Sequence, residues 1–386
     1  MALRDGYKFL ALVRRRRREL LPGFAPLTSV IIPCKGVDGD WDKNLEAFLT
    51  QEFPAYQIIF AVASESDPAY ARLAELLKRP AGARPKTSPV VAGYAEGRGE
   101  KVNNLLRGLE AVDPAAQVLA FADIDARPGR DWLRSLVAPL EDPHVTVSSG
   151  FRWYLPREGF ASRLRAAWDT SIATLLGDHD HNFAWGGSMA IRAADFRRLQ
   201  VAERYWASTV SDDYALTRAV REAQGHIHFE PRCLVASHEE CAVRDFLRWA
   251  NRQIIITRVY APHLWWLGLA AHSLYALSML LGLAGLFAPG ASSRARLAVV
   301  MWLVAIQVLG MGKGRLRSIV ARESFPEEGE TLKRFGGCYW RWAPLVPWVM
   351  LYNFVVAGFV RRIEWRGVVY ELRSMQEVRV LRRDAV

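Results

Sequence analysis

Gln117–Asp125 reads QVLAFADID. Five apolar residues in a row, two of them β-favouring, fit a strand buried on both faces. The run then stops in two carboxylates, Asp123 and Asp125, one residue apart, followed by the turn-forming ARPG (Ala126–Gly129). On both sides the chain repeats this kind of segment. TSVIIP (Thr28–Pro33), YQIIFAVAS (Tyr56–Ser64), PVVAGY (Pro89–Tyr94) and VTVSSGF (Val145–Phe151) are strand-like and bounded by turn residues. Between them lie helical patterns: KNLEAFLTQ, AYARLAELLKR, VNNLLRGLEAV and DWLRSLVAPL. Regular alternation of strand and helix predicts an α/β fold with a mostly parallel sheet covered on both faces. Ligands of such sheets bind outside the carboxyl ends of the strands, which is where Asp123 and Asp125 fall.

Two carboxylates held together repel unless a cation joins them. A hard divalent ion, Mg2+ or Mn2+, prefers oxygen ligands and commonly bridges to phosphates. Taken alone, the tripeptide favours the plainer reading, a strand end at Asp123 and a turn cap at Asp125. Other segments bear on the choice. Ser211-Asp212-Asp213 opens a helical pattern, where one acid is an N-cap and a second is free for general-base work. Ala184–Arg192 (AWGGSMAIR) carries a double glycine, either a tight turn or a close approach of backbone to ligand. Lys101, Asn103 and Asn104 stand at a helix start, a place suited to an anion.

Composition narrows the partners. Lys and Arg number 51 against 40 acids, and only eight of the basic residues are Lys. That excess suits phosphates, an acidic membrane surface or nucleic acid. A hydrophobic content of 51% favours the membrane over nucleic acid. No Asp, Glu, Lys or Arg lies between Arg258 and Arg294. Within that window residues 264–288 are long enough to cross a bilayer. Residues 297–312 form a shorter apolar run, and residues 342–360 a third, interrupted by Pro344 and Pro347. Trp265, Trp266, Trp340 and Trp342 mark the ends of these runs, as interfacial aromatics do. The Arg-rich segments after the second and third runs both belong on the cytoplasmic side with the N-terminal region, so one run is expected to be re-entrant, the proline-broken third. The segment Cys241–Trp265 mixes arginines and apolar residues at helical spacing, the pattern of an interface helix.

The expected organisation is a basic segment at 1–26, a catalytic α/β domain at 27–240, an interface helix at 241–262, and a membrane region with a basic tail at 263–386. Arg14–Arg18 follows a short apolar stretch, which does not fit a cleavable signal peptide. The four cysteines are far apart in sequence and read as buried thiols. His179, His181, His226, His228 and His238 lack the spacing of a metal site and read as ordinary histidines.

Eight segments in order carry a resemblance: Pro33–Tyr56, SDPAY, EKVNNL, FADID, GGSMAIR, SDDYAL, FLRW and IEWRGVVYEL (Ile363–Leu372). From about Leu20 to Leu372 the chain resembles ceramide glucosyltransferases, a branch of the inverting nucleotide-sugar transferases with the GT-A fold. The resemblance implies a cytosol-facing catalytic domain of a multi-pass protein, in bacteria of the inner membrane. It also implies a UDP-sugar donor, a lipid acceptor and no nucleic acid. Asp123 and Asp125 would hold the metal and diphosphate, with Asp125 on the metal and Asp123 on the ribose or the metal's far side. Asp213 would be the catalytic base. Arg248 and Trp249 match the end of the Gln/Arg-x-x-Arg-Trp motif near the departing diphosphate. Pro33, Lys35, Glu65, Asp67, Lys101, Asn104, Gly187 and Asp212 complete the nucleotide-sugar candidates.

Two positions depart from the pattern. Asp245 stands where the motif begins with Gln or Arg, leaving Arg244 or Arg252 to substitute. Ser64 occupies the place of the base-pairing aspartate, with Glu65 and Asp67 beside it. The family's usual N-terminal span is also missing, so anchoring is expected from the C-terminal half. The alternatives are a processive polysaccharide synthase of the same fold, which needs more spans, and a non-catalytic membrane scaffold, which has no use for three aspartates kept together.

Overall fold

The structure, a computed structural model, describes residues 2–37, 40–78 and 84–384. The chain forms two units. One comprises Leu12–Arg152, Leu176–Ser237 and Arg362–Val386; the other comprises Met1–Ala11, Trp153–Leu175 and His238–Arg361.

The first unit is built on a seven-stranded sheet. Its strands are β1 (Thr28–Pro33), β2 (Tyr56–Val62), β3 (Lys86–Val91), β4 (Val118–Ala122), β5 (Val145–Tyr154), β6 (Ser188–Arg192) and β7 (His226–Ser237), in the order β3-β2-β1-β4-β6-β5-β7. β3, β2, β1 and β4 run parallel. β6 is inserted antiparallel between β4 and β5. Successive residues of β1 serve opposite faces, because strand side chains alternate. Val30 and Ile32 pack with Phe48, Leu73 and Trp132, while Ile31 packs with Val102, Leu105, Phe121 and Leu216. Each face is thus closed by helices, Trp41–Leu49 and Pro68–Leu77 on one and Glu100–Leu109 and Asp212–Glu222 on the other. The α/β class and the mostly parallel sheet are those expected.

Local differences have local causes. The helix expected across DWLRSLVAPL is α-helical only over Trp132–Val137 and tightens to a 3-10 turn at Ala138–Glu141. Pro139 has no N–H to continue the helical ladder there. The third strand begins three residues earlier than PVVAGY, at Lys86. The double-glycine segment, read as a turn or a close approach, runs directly into β6.

The larger difference lies at the C-terminus. The residues expected as a basic tail of the membrane region fold as an antiparallel three-stranded sheet, β8 (Arg362–Trp365), β9 (Val368–Ser374) and β10 (Glu377–Arg383), in the order β10-β9-β8. They belong to the unit of the seven-stranded sheet. Ile363, Val368, Tyr370, Leu372 and Val378 are buried, a period-two pattern interleaved with arginines and acids.

The second unit is helical. Val243–Tyr260 is followed directly by Pro262–Leu286, then by Ser293–Ser324 and Val346–Phe359. Pro347 sits in the first turn of the last helix, where its missing N–H costs nothing. Asn353 of this helix is fully buried; its Nδ2 donates to Asn251 Oδ1 at 2.7 Å and its Oδ1 accepts from Trp168 Nε1 at 3.1 Å. Trp265 Nε1 donates to the Phe354 carbonyl at 3.1 Å. These bonds fasten the short helix to the two before it. Pro262–Leu286 and the apolar part of Ser293–Ser324 instead leave large side chains exposed, among them Leu267, Leu274, Leu281, Trp302 and Val308.

Candidate functional site

The acidic cluster grows from the carboxyl ends of the strands. β4 ends at Ala122, and Asp123 and Asp125 leave it in the turn that follows. Opposite them the helix Glu100–Leu109 presents Lys101 from its first turn, and Ser211 caps the helix that begins at Asp212. Lys101 Nζ lies 2.9 Å from Asp123 Oδ1 and 3.1 Å from Asp212 Oδ2. Arg152, near the end of β5, reaches Asp123 Oδ2 at 3.1 Å and also bonds Asp125 Oδ1. Arg366, in the turn between β8 and β9, donates to Asp125 Oδ2 at 3.1 Å and to the Lys35 carbonyl at 2.8 Å.

Glycine is required where the backbone passes these carboxylates. A Cβ on Gly186 would stand 2.1 Å from Asp212 Oδ2 and 2.8 Å from Lys101 Nζ. One on Gly187 would stand 2.7 Å from Asp123 Oδ2 and 2.2 Å from the Trp185 ring. Gly186 and Gly187 form a tight turn, closed by Ser188 N–H donating to the Trp185 carbonyl at 3.0 Å, and that turn carries the backbone against the side chains of Asp123, Asp212 and Lys101. The indole of Trp185 in turn lies beneath the Arg152 guanidinium, 5.4 Å from its ring centre.

The charges set one another. Burial pushes the Asp125 carboxyl up, but the guanidiniums of Arg152 and Arg366 outweigh it and hold it well below the usual carboxylate range. Burial disfavours charge on Lys101, yet Asp123, Asp212 and Asp213 hold its ammonium firmly protonated. Asp212 is raised to about 7 by its burial; Lys101 opposes this, while Asp213 and Asp123 add to it. Three carboxylates therefore share one ammonium, and the most buried of them titrates near neutrality. Asp213 is half-buried. Its Oδ1 accepts from the Ser211 hydroxyl and from Tyr214 N–H.

The donor set suits a hard divalent ion in kind, since Asp123 and Asp125 offer only carboxylate oxygens. Two side chains are a partial set. Among the described residues no group of three or more His, Cys, Asp and Glu comes together as a metal site. Further ligands would come from phosphate oxygens and water, as is usual for Mg2+.

The remaining candidates are placed as follows. Pro33 ends β1, opposite Ala61. Lys35 Nζ pairs with Glu100 at 2.6 Å. Asp67 is buried and its Oδ1 accepts from Gly36 N–H at 2.8 Å and Ala69 N–H at 2.9 Å, so it caps a helix and ties down the loop after β1. Glu65 is exposed beside it. Asn104 is buried and donates to the Ala61 carbonyl at 3.2 Å, joining helix to sheet. Arg248 and Trp249 belong to the helical unit, on Val243–Tyr260. There the Trp249 ring packs edge-on against Tyr154 at 5.3 Å and Trp168 at 5.2 Å.

Sequence reasoning passed over Arg152 and Arg366. Arg152 had a signal: an arginine inside an otherwise apolar strand, which needs an ion partner to be buried. Arg366 lay unremarked within IEWRGVVYEL.

The model of glycosyl transferase family 21 matches residues 4–378. Over 103 residues the chain is 29% identical to ceramide glucosyltransferase 1 of Caenorhabditis elegans. That match takes in 27% of this chain and spans only 22% of the length of the relative. A mannosyltransferase of Pyrobaculum calidifontis, solved with GDP-Man and Mn2+, is similar over 92% of this chain and 94% of its own, with 13% identity and a TM-score of 0.46. The glucosyl-3-phosphoglycerate synthase of Mycobacterium tuberculosis, solved with Mn2+, UDP and phosphoglyceric acid, is similar over 64% of this chain and 81% of its own, with 14% identity and a TM-score of 0.38.

Proposed function

Since the chain belongs to glycosyl transferase family 21, we propose that it moves one hexose from a UDP-sugar such as UDP-glucose to the hydroxyl of a membrane lipid, ceramide or another, with inversion at the anomeric carbon. The observation that carries this reading is the gathering of Asp123, Asp212 and Asp213 around Lys101 beyond the carboxyl ends of the sheet, with Asp125 joined to Asp123 through Arg152.

Asp213 is the general base. Ser211 and the Tyr214 amide orient its carboxylate, and its half-exposed position leaves it open to an acceptor. It takes the proton of the acceptor hydroxyl as that oxygen bonds to the anomeric carbon. The bond from that carbon to the diphosphate oxygen breaks in the same step, and its electron pair leaves with UDP. Asp212 is less suited to the role despite titrating near neutrality, because it is buried against Lys101. Lys101 and Arg152 stand ready to compensate the charge that develops on the leaving group. Asp125 and Asp123 would hold Mg2+ or Mn2+, which when bound neutralises the diphosphate. The exposed Glu65 is the better placed of the two acids after β2 to meet a nucleobase, since Asp67 is occupied in the fold.

The lipid side of the proposal rests on the helical unit. Pro262–Leu286 has 25 residues and Ser293–Ser324 has 32. At about 1.5 Å per residue both exceed the ~30 Å hydrocarbon thickness of a bilayer. Their exposed leucines and valines would be costly in water and are at home in lipid. Val346–Phe359, with 14 residues, reaches only about 21 Å. Held by Asn353 and Trp265, it suits a re-entrant segment. The catalytic domain then lies on the cytosolic side, where UDP-sugars are found.

The test is transfer. Full-length protein in detergent, given Mg2+ or Mn2+, labelled UDP-hexoses and a total lipid extract, should yield a lipid carrying a single sugar. Consumption of no UDP-hexose, or a long polymer from one donor, would reject the proposal.

A further inference from the structure

We infer that Arg366, at the tip of the C-terminal hairpin, binds the diphosphate of the sugar donor. The inference rests on the donor reading above and adds to it a residue from a part of the chain remote in sequence from Asp123 and Asp125.

The local backbone is the first observation. Trp365 pairs with Val368, so the hairpin turns on two residues only, Arg366 and Gly367. Both have positive φ, +45° and +75°. This is the type I′ arrangement, whose first position is ordinarily Asn, Asp or Gly. A long β-carbon-bearing side chain is uncommon there and makes the turn less stable. The turn itself does not call for arginine.

The second observation is where that side chain ends. Its two terminal nitrogens bond Asp125 Oδ2 and the Lys35 carbonyl, while a third of the side chain remains exposed. The guanidinium therefore stands at the carboxylate pair beyond β4 and beside the loop after β1, with solvent access. A planar fork of donors in that position matches phosphate oxygens.

The third observation is that the hairpin is fastened to the same edge of the site. Tyr370 is buried and its hydroxyl accepts from Glu100 N–H at 3.1 Å, one residue before Lys101. Arg383 donates to the Ala95 carbonyl at 3.0 Å and lies over the Tyr94 ring at 4.6 Å. Anchors at both later strands fix the hairpin, so the tip need not hold it in place. Arg366, Arg152 and Lys101 then form three cations around one place, each drawn from a different element.

Arg366→Asn tests this, because asparagine suits the turn and removes the cation. UDP binding to the full chain in detergent is followed by calorimetry, and folding by thermal melting. The expected result is a UDP Kd raised about tenfold or more, the loss of one charge-assisted phosphate contact, at a melting temperature equal to or above that of the parent. Arg366→Lys should fall between the two. Arg373→Ala, on the same hairpin but in the exposed ion pairs with Glu371 and Glu377, should change neither quantity. An unchanged UDP affinity in Arg366→Asn, or a loss of affinity that appears only together with a fall in melting temperature, would overturn the inference and make Arg366 a structural anchor. If the parent chain itself binds no UDP, the donor reading fails, and this inference with it.

Discussion

Lys101→Met should destabilise the catalytic unit in a pH-dependent way. The Lys101 side chain is 12% exposed, and its ammonium lies 2.9 Å from Asp123 and 3.1 Å from Asp212. Removing one partner of a buried pair costs about 3–5 kcal/mol when the other must stay charged. Asp123 keeps Arg152 at 3.1 Å, so the burden falls on Asp212, which can avoid it by taking a proton. Its folded-state pKa is already raised to about 7 by burial, so the native state binds more protons than the unfolded one from the ordinary carboxylate range up to that value. Its contribution to stability falls as pH rises through this window and levels off above it. Without Lys101 the pKa rises further and the fall continues into alkaline pH. Relative to the parent, the variant should lose about 1.4 kcal/mol for each pH unit above 7. Between pH 7 and pH 8.5 that is roughly 2 kcal/mol, or about 4–8 °C in melting temperature for a domain of this size. The assay is thermal unfolding of the detergent-solubilised chain by tryptophan fluorescence at pH 6, 7 and 8.5. Lys101→Met/Asp212→Asn should lose the extra alkaline slope. Parallel melting curves for parent and Lys101→Met over the whole range, or a slope that survives in the double variant, would refute the reasoning.

Two further predictions follow from packing and charge. Gly187→Ala would drive a Cβ to 2.2 Å from the Trp185 ring and 2.7 Å from Asp123; overpacking of this kind costs about 1–3 kcal/mol. It should lower both the melting temperature and UDP affinity, whereas Gly285→Ala, with nothing within 4 Å, should lower neither. Glu230 is fully buried, and although burial pushes it up, the His228 ring 3.6 Å away and hydrogen bonds from Arg232 bring it down to about 2. That lowered value gives stability above the ordinary glutamate range, lost as pH falls toward 2, worth on the order of 3 kcal/mol. Glu230→Gln should lose most of it at pH 7 and flatten the acid side of the melting-temperature profile.

What could be read in the sequence depended on how each element is buried. β1, β2 and β4 are covered on both faces and therefore appear as unbroken apolar runs; with the helices between them they announce the α/β class. The resemblance built on eight short segments agrees with the family match over residues 4–378, and the expected mostly parallel sheet covered by helices is present. β6 was hidden because Gly186 and Gly187 signal a turn immediately before it. The C-terminal sheet was hidden because the charges around it, Arg366, Glu371, Arg373 and the arginines of β10, masked the buried set Val368, Tyr370 and Leu372, so the segment passed for a charged tail. The helix Ser293–Ser324 extends beyond the apolar stretch 297–312 at both ends, through arginines that hydropathy alone takes for a boundary. In the site, Asp123, Asp125, Lys101, Asp212 and Asp213 were all named from sequence and come together. The arginines that partner them were not, because in a chain with so many arginines no single one stands out until its carboxylate is seen.

If this cluster transfers a sugar with Asp213 as the base, removing that carboxylate should stop transfer and leave donor binding in place. The most direct measurement compares the parent chain with Asp213→Asn for single-sugar transfer from UDP-glucose to lipid, with UDP binding measured in parallel and the anomeric configuration of the product assigned by NMR. The expected result is a β-linked product and a fall in transfer of about 10²–10⁴-fold in the variant, with UDP affinity little changed. Transfer at the parental rate by Asp213→Asn, or an α-linked product from the α-donor, would contradict it.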